Sequence, residues 1–190
     1  MFKLVAVTNR HLVKSSLEKQ LEKIFQASVR PQRLVLREKD LPEKEYLELY
    51  QQVAPLCRQY GVELLLHNFW QLALRLHAPL QVPLSLLRLA ELQARKAELP
   101  LLGTSVHSLA EAQEAVALGA DYLVAGHIFP TSCKPGLPPR GLDFLREICS
   151  KVDLPVYAIG GLQLGRPRQL DQVRACGAKG AFFMSDYMQY

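Results

Sequence analysis

Eight short runs of apolar, β-favouring residues alternate with seven stretches whose apolar positions recur every three or four residues, and this alternation constrains the fold most. The runs lie at 3–8, 33–37, 62–67, 80–83, 100–106, 122–128, 155–160 and 180–184. The stretches at 15–27, 43–59, 69–77, 84–98, 108–118, 141–151 and 166–176 predict helices. A helix between two strands returns the chain to its starting edge, so the strands lie parallel with right-handed crossovers. Eight strands with seven interleaved helices predict an α/β fold, a compact (β/α)8 TIM barrel. The alternative is an open doubly wound sheet, because the fourth run, near Leu80-Gln81-Val82, is weak. Local signals mark several boundaries. Ser108-Leu109-Ala110-Glu111 is a capping box, Gly119 ends the same helix, and Gly160-Gly161 closes the seventh strand.

With 190 residues the chain supports one core and one domain, 1–190, below the roughly 250 residues typical of such barrels. Few residues follow the last strand, so the last helix is expected to be short or missing, and the flank this exposes favours a homodimer. Apolar residues make up 49% and charged ones 22%, a globular balance, and charge or proline breaks every apolar run before membrane-spanning length. No membrane association is expected. The start, Met1 to Thr8, reads as a strand rather than a secretion signal, which implies a cytoplasmic protein. Four scattered cysteines form no CxxC pair, which argues against a disulfide framework or a zinc site. The net charge of +5 is dispersed rather than striped, so nucleic acid is not the expected partner. A small anion suits it equally well.

In parallel α/β folds, function gathers at the C-terminal ends of the strands. There this chain places Arg37-Glu38-Lys39-Asp40, His67-Asn68, Thr104-Ser105-Val106-His107, Gly126-His127, Gly160-Gly161 and Met184-Ser185. Glycines after strand 7, together with Met184-Ser185 after strand 8, match the usual barrel phosphate site, where backbone N–H groups approach an anion. A tight turn explains Gly160-Gly161 equally well. His127 is the acid–base candidate, since an imidazole exchanges protons near neutral pH. His107 caps or orients, His67 is read as facing outward, and His11 and His77 are incidental. The loop 129–136 is long for its place. In it Lys134 can pair with a carboxylate or phosphate, Thr131 and Ser132 can donate hydrogen bonds, and Cys133 has no adjacent base. Phe69 and Trp70 serve either the core or a substrate wall.

At these residues the chain resembles the thiamine phosphate synthase superfamily. Leu36 to Asp40 resembles its LREKD segment, Gly103 to Ser108 its GxSxH[ST], Pro130 to Lys134 its PTxTK, and Ala158 to Gly161 its AIGG. The resemblance implies a barrel that holds a substrate phosphate after strands 7 and 8. One branch, the synthases, joins a pyrimidine pyrophosphate to a thiazole phosphate with magnesium, using an Asn-Asp pair after strand 3 and an aspartate after strand 4. Here the pair reads Asn68-Phe69, and 78–87 contains no acidic residue. The other branch, the TenI-type thiazole tautomerases, carries a histidine where His127 stands.

The resemblance therefore implies an isomerase without metal or organic cofactor, aromatising a carboxythiazole phosphate through His127. Backbone at Gly160, Gly161, Met184 and Ser185 would hold the phosphate. Lys134 with Thr131 or Ser132 would hold the carboxylate, and Arg37 or Lys39 would assist. Asn68, Ser105 and His107 complete the expected substrate contacts. Asp186 stands where glycine is usual, beside the phosphate. The alternatives are a diverged thiamine phosphate synthase and a non-catalytic thiazole or thiamine phosphate-binding regulatory protein.

Overall fold

All eight predicted strands form, each within two residues of its expected ends, in a computed structural model that describes residues 2–131 and 136–190. They are β1 (Lys3–Val7), β2 (Arg33–Leu36), β3 (Glu63–His67), β4 (Leu80–Pro83), β5 (Leu102–Val106), β6 (Tyr122–Gly126), β7 (Val156–Ile159) and β8 (Gly180–Phe183). They pair in sequence order into a closed barrel, with β8 returning to β1. Closure is what removes the open-sheet alternative. The weak strand β4 is held from both sides, Leu66 opposite Leu80 and Val82 opposite Thr104.

Because side chains alternate along a strand, one set faces inward and the other faces the helices. The inward set includes Val5, Val7, Val35, Leu65, Tyr122, Val124, Tyr157 and Phe182. Two strand glycines admit the two tyrosine rings. A Cβ on Gly103 would lie 2.0 Å from the Tyr122 ring, and one on Gly180 would lie 2.7 Å from that of Tyr157. The rings of Tyr122, Tyr157 and Phe182 then meet edge to face, with centroids 5.4 and 5.5 Å apart. Below them Arg33 bonds Glu63 Oε2 at 2.5 Å and lies over the Tyr122 ring, closing the base of the barrel.

Outside run α1 (Leu17–Phe25), α2 (Glu43–Tyr60), α3 (Trp70–Leu76), α4 (Leu84–Leu87), α5 (Ala90–Arg95), α6 (Leu109–Ala117), α7 (Gly141–Lys151), α8 (Pro167–Ala175) and α9 (Ser185–Met188). The predicted helix 84–98 is broken into α4, α5 and a 3-10 turn at Lys96–Glu98. Leu89 between them is extended, which lets Leu84, Leu87 and Leu92 all turn inward. Ser108 caps α6 by accepting from Glu111 N–H, as the capping box predicts. The Glu111 carboxylate reaches back to His107 N–H rather than to the cap itself. The last helix, α9, is one turn long, and its Tyr187 is fully buried with its hydroxyl donating to Val29 O. Among the described residues no helix is long and apolar enough to cross a membrane.

Candidate functional site

The C-terminal mouth of the barrel opens on a cavity of about 410 Å³. Its β6–β8 wall is shaped by glycine. Gly160 and Gly161 have φ of 97° and 67°, the left-handed region that disfavours a side chain. A Cβ at Gly160 would lie 2.2 Å from that of His127, and one at Gly161 would lie 2.3 Å from Pro130 O. The two glycines thus let the β7 loop lie directly on the β6 loop, where Phe129 N–H donates to Gly160 O. Gly160, Gly161, Met184 and Ser185 all line the cavity. Asp186 lines it too, but Leu164 N–H donates to its carboxylate at 2.5 Å. The unexpected acid is a latch between the β8 end and the β7–α8 loop.

His127 lines the same wall and is 6% exposed. Its Nε2 lies 3.4 Å from Leu137 O, and its Nδ1 is buried with no partner among the described residues. Among those residues no carboxylate bonds the ring to orient it. Thr131 also lines the cavity, whereas Ser132, Cys133 and Lys134 lie outside the described residues.

The opposite side is built on β2 to β5. Arg37 lines the cavity, its backbone N–H donating to Thr8 Oγ1 at 2.8 Å. Ser105 and His107 project from β5 into the same space, and Glu111 Oε2 sits 3.2 Å from His107 Nδ1, setting the ring's orientation. His67 does not face outward. It shares the inward register of Leu65 and lies beside Gln81 of β4, partly buried. That enclosure, reinforced by the nearby charges of Arg37 and Lys39, pushes its pKa down to about 3, so the ring is neutral. Lys39 and Asn68 stand at the rim near His67, outside the cavity lining. Asn68 is left-handed, φ 69°, with its Oδ1 buried and unpartnered among the described residues.

Gln81 and Arg10 escaped the sequence reading. Gln81 is 4% exposed, donates Nε2 to Ser105 Oγ at 3.3 Å, and leaves Oε1 without a partner among the described residues. A lone amide within Leu80-Gln81-Val82 was the available signal. Arg10 donates its backbone N–H to Glu38 and its guanidinium to both Glu38 and Asp40, while His11 Nε2 meets Asp40 at 3.0 Å. The pairing with Arg10 holds the Asp40 carboxyl well below the usual range. This clamp fixes the segment that carries Arg37 and Lys39.

The residues present do not suit a divalent cation. Magnesium takes hard oxygen ligands, commonly one or two carboxylates beside the substrate's phosphates. The synthase position after β3 is Phe69, whose ring packs on Tyr46 at 4.2 Å. Glu38 and Asp40 are committed to Arg10, and Asp186 to Leu164. Among the described residues no three potential ligands cluster.

A closed parallel barrel with a glycine-built wall at its mouth between β6 and β7 defines a (β/α)8 protein. The chain belongs to the thiamine monophosphate synthase family, whose model matches residues 4–186. It is 34% identical over 196 aligned positions to "Thiamine-phosphate synthase 2" of Streptococcus pneumoniae, covering 98% of this chain and 88% of that one. It is 36% identical to a thiamine-phosphate synthase of Pyrococcus horikoshii over 71% of this chain and 65% of that one. The solved thiamine phosphate pyrophosphorylase of Pyrococcus furiosus superposes with a TM-score of 0.82 at 29% identity, covering 100% and 88% of the two chains.

These relatives overturn the tautomerase expectation. They bear the name of a transferase, not an isomerase, and the likeness runs through nearly the whole barrel. The isomerase reading leaned on one histidine. A residue just past β6 lines the mouth whatever the reaction, and His127 is set there by its packing on Gly160.

Proposed function

We propose that this chain is a transferase of the thiamine-phosphate synthase type, joining a pyrimidine pyrophosphate to a thiazole phosphate. The observation that carries this reading is a single cavity with two anion-accepting sides, Gly160-Gly161 with Ser185 on β7 and β8, and Arg37 on β2. Joining two phosphorylated substrates needs both, close enough for their reacting carbon and nitrogen to meet.

In this reaction the bond between the pyrimidine methylene carbon and the pyrophosphate oxygen breaks, and its electron pair leaves with pyrophosphate. The thiazole nitrogen supplies the pair for the new C–N bond, so nothing is oxidised or reduced. The backbone at 160–161 and 185 holds the thiazole phosphate. Arg37, fixed at its base by Thr8, takes up charge developing on the leaving pyrophosphate. Val7, Ile159 and Phe182 line the inner part of the cavity and exclude water from the cationic carbon.

The test is condensation of the two substrates with thiamine phosphate as the measured product. Product formation that Ser185→Asp or Arg37→Ala abolishes supports the transferase. Tight thiazole phosphate binding with no product would favour the non-catalytic binding protein, a reading that the missing carboxylates favour.

A further inference from the structure

In the proposed reaction the thiazole phosphate lies beside Asp186, the acid that stands where glycine is usual. The β7–α8 loop reaches the mouth through Gly160, Gly161, Leu162 and Gln163, all of which line the cavity. Two backbone donors of this loop are already taken by side chains. Gln163 N–H donates to Gln169 Oε1 at 3.0 Å, and Leu164 N–H donates to Asp186 Oδ2 at 2.5 Å. Gln169 also donates Nε2 to Gly161 O at 3.4 Å, so α8 holds the loop from one side and Asp186 holds it from β8. Arg166 N–H closes the turn on Gln163 O at 3.1 Å. Asp186 nevertheless lines the cavity beside Ser185. Its carboxylate therefore does two things at once. It occupies a donor of the loop, and it sets a negative charge at the edge of the space that the phosphate enters.

We propose that Asp186 is a built-in competitor of the substrate phosphate, a specificity-determining residue that weakens the hold of this corner on the phosphorylated thiazole relative to its alcohol. The inference rests on the placement of the thiazole phosphate in the transferase reading above. A backbone N–H engages one carboxylate oxygen without cancelling the charge, and charge-assisted bonds of this kind are strong ones. A phosphate that reaches for Leu164 N–H has to displace that oxygen. One that does not sits beside a like charge. A like charge a few ångströms away, in a site shielded from bulk water, weakens anion binding by about tenfold or more. A thiazole arm that ends in a hydroxyl carries no charge for Asp186 to oppose. The corner therefore separates the phosphorylated thiazole from the alcohol less sharply than its glycines alone would. The product keeps the same phosphate at the same corner, so a weak hold also speeds its departure.

The test uses Asp186→Asn, which removes the charge and keeps an oxygen for Leu164 N–H, and Asp186→Glu, which keeps the charge. Thiazole phosphate and the unphosphorylated thiazole alcohol are each titrated into the full chain by calorimetry. Asp186→Asn is expected to tighten thiazole phosphate about tenfold and to leave the alcohol unchanged. Asp186→Glu is expected to bind thiazole phosphate no tighter than wild type. In condensation assays the KM for thiazole phosphate is expected to fall in Asp186→Asn while the KM for pyrimidine pyrophosphate holds. Unchanged or weaker thiazole phosphate binding in Asp186→Asn overturns the proposal, and so does tightening in Asp186→Glu. Equal tightening of the alcohol also overturns it, because the corner would then merely have loosened. Any of these results with wild-type condensation intact leaves the transferase standing. Selective tightening with no condensation by any of the three proteins overturns the transferase and supports Asp186 as the competitor in a phosphate-binding protein.

Discussion

Two arginines, Arg33 at the start of β2 and Arg37 just past its end, stand at opposite ends of the same barrel, and their surroundings differ in one respect. Arg33, at the base, is paired with Glu63, reaches the Tyr157 hydroxyl at 3.4 Å and lies on the Tyr122 ring. Arg37, at the mouth, lines a cavity that it shares with His127, whose Nδ1 has no partner among the described residues. The base spends its polar groups on one another. The mouth keeps His127 Nδ1, Gln81 Oε1 and Asn68 Oδ1 unsatisfied among the described residues. Buried polar atoms without partners are destabilising, so a cluster of them marks where a ligand supplies the missing bonds. The exception at the base, the Tyr122 hydroxyl, belongs to a ring wedged against a glycine, so packing explains it.

The sharpest way to break the comparison is to remove each arginine in turn. Arg37→Ala is expected to lower condensation by about 10²–10³-fold while shifting stability by less than about 0.5 kcal/mol. Arg33→Ala is expected to lower stability by about 1–3 kcal/mol, and whatever folds should turn over normally. Urea unfolding and steady-state rates on both proteins decide it, and a reversed pattern would dissolve the distinction between the two ends.

A second variant probes the base alone. Gly103→Val drives a side chain into the Tyr122 ring and is expected to destabilise by about 1–3 kcal/mol, the range for an overpacked core. Trimming the ring as well, in Gly103→Val with Tyr122→Leu, is expected to lose less than the two single changes summed. Strict additivity would mean the glycine is not there to admit the ring.

The smallest expected effect belongs to the mouth and appears with pH. An unfolded histidine takes up a proton near 6.5, whereas folded His67 does not until about 3. Between those values the unfolded chain binds more protons, so stability from this residue is full above about pH 6.5 and falls as the pH drops towards 3. His67→Gln is expected to flatten that fall relative to wild type in urea midpoints taken from pH 7 to pH 4. An identical fall in both proteins would place His67 in water instead.

Much of the molecule was legible before any coordinates. Period-two and helical apolar patterns are local properties, so the eight strands, most helices and the glycine turn at 160–161 could be read from short windows. The break within 84–98 could not, because the segment has helical periodicity throughout and only the barrel surface requires three leucines to be presented at different angles. His67 was misread for a related reason. One residue of register decides which way a strand side chain points, and register is settled by the neighbouring strand rather than by the strand itself.

The sequence by itself determined the alternation of elements, the glycines after β7 and the presence of Phe69 where the resemblance implies an aspartate, since each is a matter of residue type at a position. The tertiary structure decided which charges are available. Glu38, Asp40 and Asp186 look like site acids in the sequence, yet folding commits them to Arg10 and Leu164, while Arg37 is left facing the cavity. The bonding partners lie some 20 to 30 residues apart along the chain (Arg10 to Asp40, Leu164 to Asp186), and only the pairing of neighbouring strands, β1 with β2 and β7 with β8, brings them within bonding distance.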